Sequence, residues 1–118
     1  MENYKLDRLE LRYQEEGANL VMAWLGMSTL PNPTEELMPY FTKRMAEWGG
    51  KRLTLDFRGL EYMNSSTVSL IVQLLKKLDE AVAGTTVIYD RTLKWQALSF
   101  QALESIESLF KNVKITGK

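Results

Sequence analysis

The chain opens with alternating apolar and polar positions. Leu9, Leu11 and Tyr13 alternate with Arg8, Glu10 and Arg12, a period that predicts a strand with one wet face. Leu20 to Leu25 (LVMAWL) is more fully apolar and predicts a second, more deeply buried strand. Glu15-Glu16-Gly17 between them is a turn, so the two strands form an antiparallel hairpin. The segment from Ser28 through Thr29, Leu30, Pro31 and Asn32 to Pro33 is a loop, because its closely spaced prolines exclude regular structure. Leu37, Phe41, Met45 and Trp48 then mark one helical face, stopped by Gly49-Gly50. Asn32, Pro33 and Glu35 have the form of a cap, an N1 proline and an N3 glutamate. Pro39 removes a backbone donor beyond that first turn, which moves the expected start of the regular helix toward Met38.

Leu53, Leu55 and Phe57 alternate with Thr54, Asp56 and Arg58 as a third strand, broken by Gly59. A short linker runs to Asn64, and a second helix starts near Ser65. Val68, Ile71, Leu75, Leu78 and Val82 form its apolar side, with Gln73, Lys76, Lys77, Asp79 and Glu80 facing water. Gly84 ends it. Thr85 to Tyr89 is a fourth strand. Trp95, Leu98, Ala102, Ile106 and Leu109 mark a third helix, and Val113 to Ile115 a short last strand. The order β-β-α-β-α-β-α-β predicts an α/β domain: a small mixed sheet covered by helices, joined by right-handed crossovers. No repeat or low-complexity tract divides it, and 118 residues suit one domain spanning 1–118.

Composition narrows the chemistry. Lysine and arginine number 15, as do aspartate and glutamate, so the net charge is zero. No global field draws the chain to nucleic acid or anionic lipid. Histidine and cysteine are absent. That excludes Ser-His-Asp and Cys-His catalysis, His/Cys zinc or haem sites, and disulfides. A cysteine-free chain suits a reducing compartment. Its first residues are charged and alternating, with no apolar signal core, and its apolar runs are too short to span a bilayer. The expectation is a soluble cytoplasmic domain without a cofactor.

The most informative segment is Leu55 to Ser66 (LDFRGLEYMNSS). Asp56 lies near the C-terminal end of a strand, a glycine turn follows, and Asn64 with the hydroxyls of Ser65, Ser66, Thr67 and Ser69 opens an amphipathic helix. Helix N-termini present unpaired N–H groups and partial positive charge, which stabilise a phosphate. The carboxyl ends of the strands form the functional edge of open α/β sheets. Two readings of the hydroxyl run stay open. Asn64 or Ser65 is a helix cap, which one residue satisfies; or the run is a modification or binding site, since several hydroxyls in the first turns are poor helix formers.

This segment resembles the signature of STAS domains, the anti-sigma-factor antagonist family typified by SpoIIAA. In that pattern an apolar strand ends Leu-Asp-apolar, Ser-Gly and a few apolar residues follow, and Asp-Ser-Ser-Gly opens a helix. Leu55, Asp56, Gly59, Leu60, Met63, Ser65 and Ser66 fit its register without a gap. Asn64 stands where the family usually has Asp, and Thr67 where it usually has Gly. The run Tyr62-Met63-Asn64-Ser65-Ser66 also resembles the SiaC-like branch. The resemblance implies a non-enzymatic partner-switching regulator, phosphorylated on Ser66 in the first register or Ser65 in the second. It implies an anti-sigma-type Ser/Thr kinase and a metal-dependent Ser/Thr phosphatase as partners. Asp56, Asn64 and Thr67 would shape the site. Tyr62 and Met63, with Trp95 and Arg91 at the same strand-end edge, would contact the partner.

Other constellations are weaker. Asp56 as a phosphoacceptor would need a magnesium site of several carboxylates, and no acidic pair ends the first strand. Ser65 or Ser66 as a nucleophile has no histidine, and Lys76 and Lys77 lie about 15 Å down the helix at its rise per residue. Trp24, Trp48 and Trp95 read as core. Lys111, Lys114 and Lys118 read as surface, lacking interleaved aromatics. A ligand- or lipid-sensing module, with Trp24 or Trp95 lining a pocket, is one alternative. A structural subunit is another, favoured if Ser65 and Ser66 are buried.

Overall fold

One long strand organises the molecule. In the computed structural model, which describes residues 1–118, Asn19–Ser28 forms the ten-residue strand β3. The other strands are β1 (Tyr4–Leu6), β2 (Leu9–Glu16), β4 (Arg52–Asp56), β5 (Leu60–Met63), β6 (Gly84–Tyr89) and β7 (Val113–Gly117). The helices are α1 (Pro33–Trp48), α2 (Ser65–Ala81) and α3 (Lys94–Glu104), with a short 3₁₀ turn at Glu107–Leu109. The sheet runs β1-β2-β3-β4-β6-β7, with β5 paired only to β3. β1, β2 and β3 are antiparallel neighbours, and β3, β4, β6 and β7 are parallel. The predicted mixed sheet with a parallel centre is therefore present.

Each crossover through a helix advances one way along the sheet. Right-handed crossovers that share a direction place their helices on the same face. The burial pattern agrees. Leu11, Trp24, Met22, Leu55, Val87 and Ile115 lie on one face and are all buried. In the row behind them, Ala23, Asp56, Ile88 and Thr116 are only half-buried and Arg12 is exposed. The helices thus cover one face of the sheet, whereas the sequence pattern predicts a covered sheet without distinguishing the faces. Trp24 is sealed between Phe41 of α1 and Phe57, at 5.8 and 4.8 Å between ring centroids. Phe100 of α3 continues the aromatic layer onto Phe57 and Tyr89.

Four local features depart from the sequence expectation. β1 is too short to show a period, and is turned into β2 at Asp7, whose φ is 56°. β3 extends to Ser28 rather than stopping at Leu25. Gly26, with φ 84°, takes a backbone position where a side chain would strike the Arg8 carbonyl, and the register shifts there. The sequence pattern predicts a linker where β5 lies. Its burial pattern, buried at Leu60 and Met63 and exposed between, does not alternate because it pairs across that shift. α1 starts at Pro33, not near Met38. Pro39 lies inside it on the exposed side and removes one backbone bond without ending the helix.

The third helix also differs. Its buried residues are Gln96, Phe100 and Leu103, while Leu98 and Leu109 are 70% and 76% exposed. The apolar spacing predicts Leu98 and Ala102 as inward, yet both are exposed and Gln96 is buried, a position that a glutamine hides in an apolar stripe. In α2, Leu70 and Leu74 join Ile71, Leu75 and Leu78 in the core, and Val68 is half-buried.

Candidate functional site

β5 delivers the chain to the N-terminus of α2 at the carboxyl ends of β3 and β4. Asn64 is the N-cap, with extended backbone, and its side chain settles the capping question. Its Oδ1 accepts from the Thr67 N–H at 2.9 Å and from the Thr67 hydroxyl at 2.7 Å, while its Nδ2 donates to the Leu30 carbonyl at 2.9 Å. The Asn64 N–H donates to the Ser28 carbonyl. One side chain thus caps α2 and ties it to the segment entering α1.

Thr67 faces inward, fully buried, with its hydroxyl 2.7 Å from the Ser28 hydroxyl. Its hydroxyl donates to the Asn64 Oδ1, so it joins the cap of α2 to the end of β3. Ser28 is fully buried too. The sequence pattern placed Ser28 in a loop, so this partner of Thr67 was missed; its signal was a small hydroxyl residue directly after an apolar run.

Ser65 and Ser66 occupy the first two positions of α2. Ser65 is exposed and Ser66 half-buried. With Asn64 supplying the cap, neither hydroxyl is needed for it. Ser66 and Ser69 border a cleft of about 350 Å³ whose other wall is the first turn of α1, from Pro31 to Glu35. α1 has no side-chain cap, and its start faces Ser66 and Ser69 across this cleft.

The expected contact residues divide. Tyr62 is 46% exposed, beside the serines in sequence and open to a partner. Met63, expected at the same surface, is 7% exposed and belongs to the core, because the β5 register turns it inward. Trp95 is half-buried against the core edge. The Arg91 guanidinium donates to the Gly117 carbonyl at 2.9 Å, which binds the loop after β6 to the end of β7. Trp95 and Arg91 follow β6, two strands over from β3, and no hydrogen bond or ion pair links them to Ser65 or Ser66.

Asp56 is on the open face, in register with Ala23 and Ile88. Its carboxylate accepts from the Arg58 N–H at 3.0 Å and from the Arg58 guanidinium at 3.0 and 2.9 Å. Partial burial alone would raise its pKa; the Arg58 side chain and N–H outweigh that and hold it below the usual carboxylate value. Asp56 thus holds the turn that leads into β5. Gly59 completes that turn: a side chain there would collide with Leu25.

Gln96 is a second residue that sequence reasoning missed. It is fully buried. Its Nε2 donates to the Phe57 carbonyl at 2.7 Å and the Leu60 carbonyl at 2.9 Å, and its Oε1 accepts from the Asp90 N–H at 2.8 Å. It clamps the turn before β5 from the side of α3. No trio of acidic residues is placed to hold a metal, and no helix is long and apolar enough to cross a membrane.

These features define a two-layer α/β domain whose distinctive edge is a strand–turn–strand leading into a serine-bearing helix. SiaC of Pseudomonas aeruginosa has a similar fold: the two structures align over 100% of each chain with a TM-score of 0.59 and 21% sequence identity. No family model matches the sequence, and no curated protein matches it significantly.

Proposed function

We propose that the protein is a non-enzymatic partner-switching regulator, controlled by reversible phosphorylation at the start of α2. Ser66 is the first acceptor and Ser65 the second. The observation that carries this reading is the division of labour at the helix start. Asn64 provides the cap and Thr67 turns inward, which leaves two hydroxyls on the first turn with no structural duty and with access to solvent. The segment Leu55 to Ser66, which resembles the anti-sigma-factor antagonist signature, and the likeness to SiaC support it.

The physics of a switch fits this position. A phosphate adds about −1.5 to −2 charges. Next to a helix N-terminus that charge is stabilised within its own chain. In an interface complementary to a neutral hydroxyl it must be desolvated without a partner, which costs several kcal/mol, and about 1.4 kcal/mol is tenfold in affinity. The partners of this reading are an anti-sigma-type Ser/Thr kinase, a metal-dependent phosphatase and an effector protein, in the cytoplasm. Tyr62 is the exposed anchor beside the switch.

Two observations weigh against the alternatives. Ser65 and Ser66 are not sealed in the core, as a purely structural subunit would have them. Trp24 is fully buried between rings and lines no larger cleft, nor does Trp95. The test is phosphopeptide mapping after incubation with ATP and a kinase-active host lysate, with Ser65→Ala and Ser66→Ala beside the wild type. One phosphate, lost in Ser66→Ala, is the expected result. A wild type that gains none near Asn64 refutes the phospho-switch.

A further inference from the structure

The two ends of the sheet are finished differently. Along β7, side chains occupy the outward backbone groups. The Glu107 carboxylate accepts from the Ile115 N–H at 2.6 Å, and the Arg91 guanidinium donates to the Gly117 carbonyl at 2.9 Å. Plugs of this kind keep an edge from pairing with another chain. At the other end, β1 pairs with β2 only at Leu9, Glu10 and Leu11. The rest of β2, residues 12–16, has β3 on one side and no strand on the other. It holds no proline or glycine, and its register with β3 is continuous. Arg12, Gln14, Glu15 and Glu16 are exposed.

The ladder fixes which backbone groups face outward. Along a strand these groups point to alternate sides. The Arg8 carbonyl accepts from Met27 of β3, whereas the Tyr13 N–H donates away from β3 to the Asn3 Oδ1 at 3.0 Å. The outward groups of residues 12–16 are therefore those of Tyr13 and Glu15. Asn3, an exposed residue before β1, stands in for a strand at the first of them. Charge also keeps edges apart, but here it selects a register. An antiparallel copy of β2 centred on Gln14 sets Arg12 opposite the partner's Glu16 and Tyr13 opposite the partner's Glu15. Opposite charges then meet on both sides of the centre, which favours the pairing. Tyr13 and the partner's Glu15 exchange both backbone bonds, and Glu15 and the partner's Tyr13 do the same. A register two residues further on sets Glu15 against its own copy, and one two residues back runs into β1. Arg12 rests on Glu10 of its own strand at 2.9 Å with its side chain 60% exposed, and so exposed a pair is held weakly.

We propose that the free part of β2 is a self-association edge, to which a second copy of this chain adds antiparallel along residues 12–16. Asn3 gives up the Tyr13 N–H to the partner's Glu15 carbonyl. The two-fold axis is normal to the sheet, so the two sheets join edge to edge and both helix layers lie on one face. The joint is beside the first half of β3, whereas Ser65 and Ser66 follow its far end. The two serine pairs thus lie at opposite ends of the joined sheet, and the proposal is independent of the phospho-switch. So short an edge buries less than a standard interface, and the dissociation constant is about 0.1–1 mM, at the weak end of protein association.

The experiment is sedimentation velocity of the full chain in low-salt buffer, from about 20 µM to about 1 mM, a span that covers affinities of this class. The wild type is expected to move from monomer toward dimer across that range. Amide hydrogen exchange over the same concentrations is expected to show the Glu15 N–H gaining protection while the amides of β7 stay unchanged. Arg12→Glu and Glu16→Arg each set like charges opposite one another and weaken association about tenfold. Both positions are exposed, so both variants fold. An equimolar mixture of the two variants restores opposite charges at both pairs and associates as the wild type does, which a misfolded variant would not. The proposal is overturned if the wild type stays monomeric at about 1 mM, the weak limit of the expected range. It is equally overturned if either reversal leaves association unchanged, if the mixture fails to recover it, or if Glu15 gains no protection.

Discussion

Replacing Asn64 with alanine tests how the serine-bearing helix is held. The side chain makes three hydrogen bonds: two accepted from Thr67 and one donated to the Leu30 carbonyl. Loss of a cap costs about 0.5–2 kcal/mol. The Leu30 carbonyl also loses its donor, a further cost of about 1 kcal/mol for a partly buried group. The Thr67 hydroxyl retains its Ser28 partner, so little is added there. The sum is about 1.5–3 kcal/mol, which lowers the melting temperature of a domain of this size by about 6–12 °C. Urea unfolding followed by tryptophan fluorescence measures it, because Trp24 and Trp48 are wholly buried; the midpoint falls while the slope stays constant. Asn64→Asp sharpens the test. Aspartate retains both acceptor bonds and suits a helix N-terminus, but gives up the bond to Leu30, so it costs about half as much. An Asn64→Ala protein that melts within about 2 °C of wild type, or an Asp variant as damaged as the Ala variant, would refute this account of the cap.

Gln96→Leu removes three bonds to backbone groups around the turn before β5 and leaves them in a dry site. It is expected to cost about 3–5 kcal/mol by denaturant unfolding, more than its small change in volume would suggest. Phosphorylated protein is expected to keep its far-ultraviolet circular dichroism and to melt within about 3 °C of the unmodified form, since the helix N-terminus accepts the charge. Asp56 titrates below its ordinary value when folded. Its contribution is therefore present above the unfolded carboxyl pKa, about 3.9, and is lost as pH falls through the lower folded value. Wild type is more stable than Asp56→Asn at neutral pH, and acid unfolding is expected to close that gap below about pH 4.

What the sequence revealed follows the strength of local signals. The parallel centre of the sheet was legible because Leu53, Leu55 and Phe57 alternate cleanly and the following helix has a dense apolar side. The helix start at Ser65 was legible because Asn64 and the hydroxyls punctuate it. What stayed hidden depends on pairing between distant segments. The strand Leu60–Met63 has no period of its own and exists because the far half of β3 needs a neighbour. Met63 reads as an exposed anchor until that pairing turns it inward. Gln96 reads as a surface residue of its helix, yet three backbone groups from two other segments require it. The carboxylate of Asp56 was placed at the right strand end, but only the sheet's one-sided covering decides that it faces away from the helices.

β3 serves two neighbours end to end, β4 along its first half and β5 along its second. β5 therefore has a ladder on one side only, held over three residue pairs. Its other side is fastened at the Leu60 carbonyl, by Gln96. In amide hydrogen exchange such an element opens at a free energy below that of global unfolding, before the central strands β4 and β6. When it peels, β4 stays paired with β6 and the inner ladder keeps its protection. The start of α2 would swing with β5, and the Asn64 N–H would let go of Ser28. The serine pair thus rides on a three-rung ladder, and the exchange protection of Tyr62 and Asn64 reports how firmly the start of α2 is held.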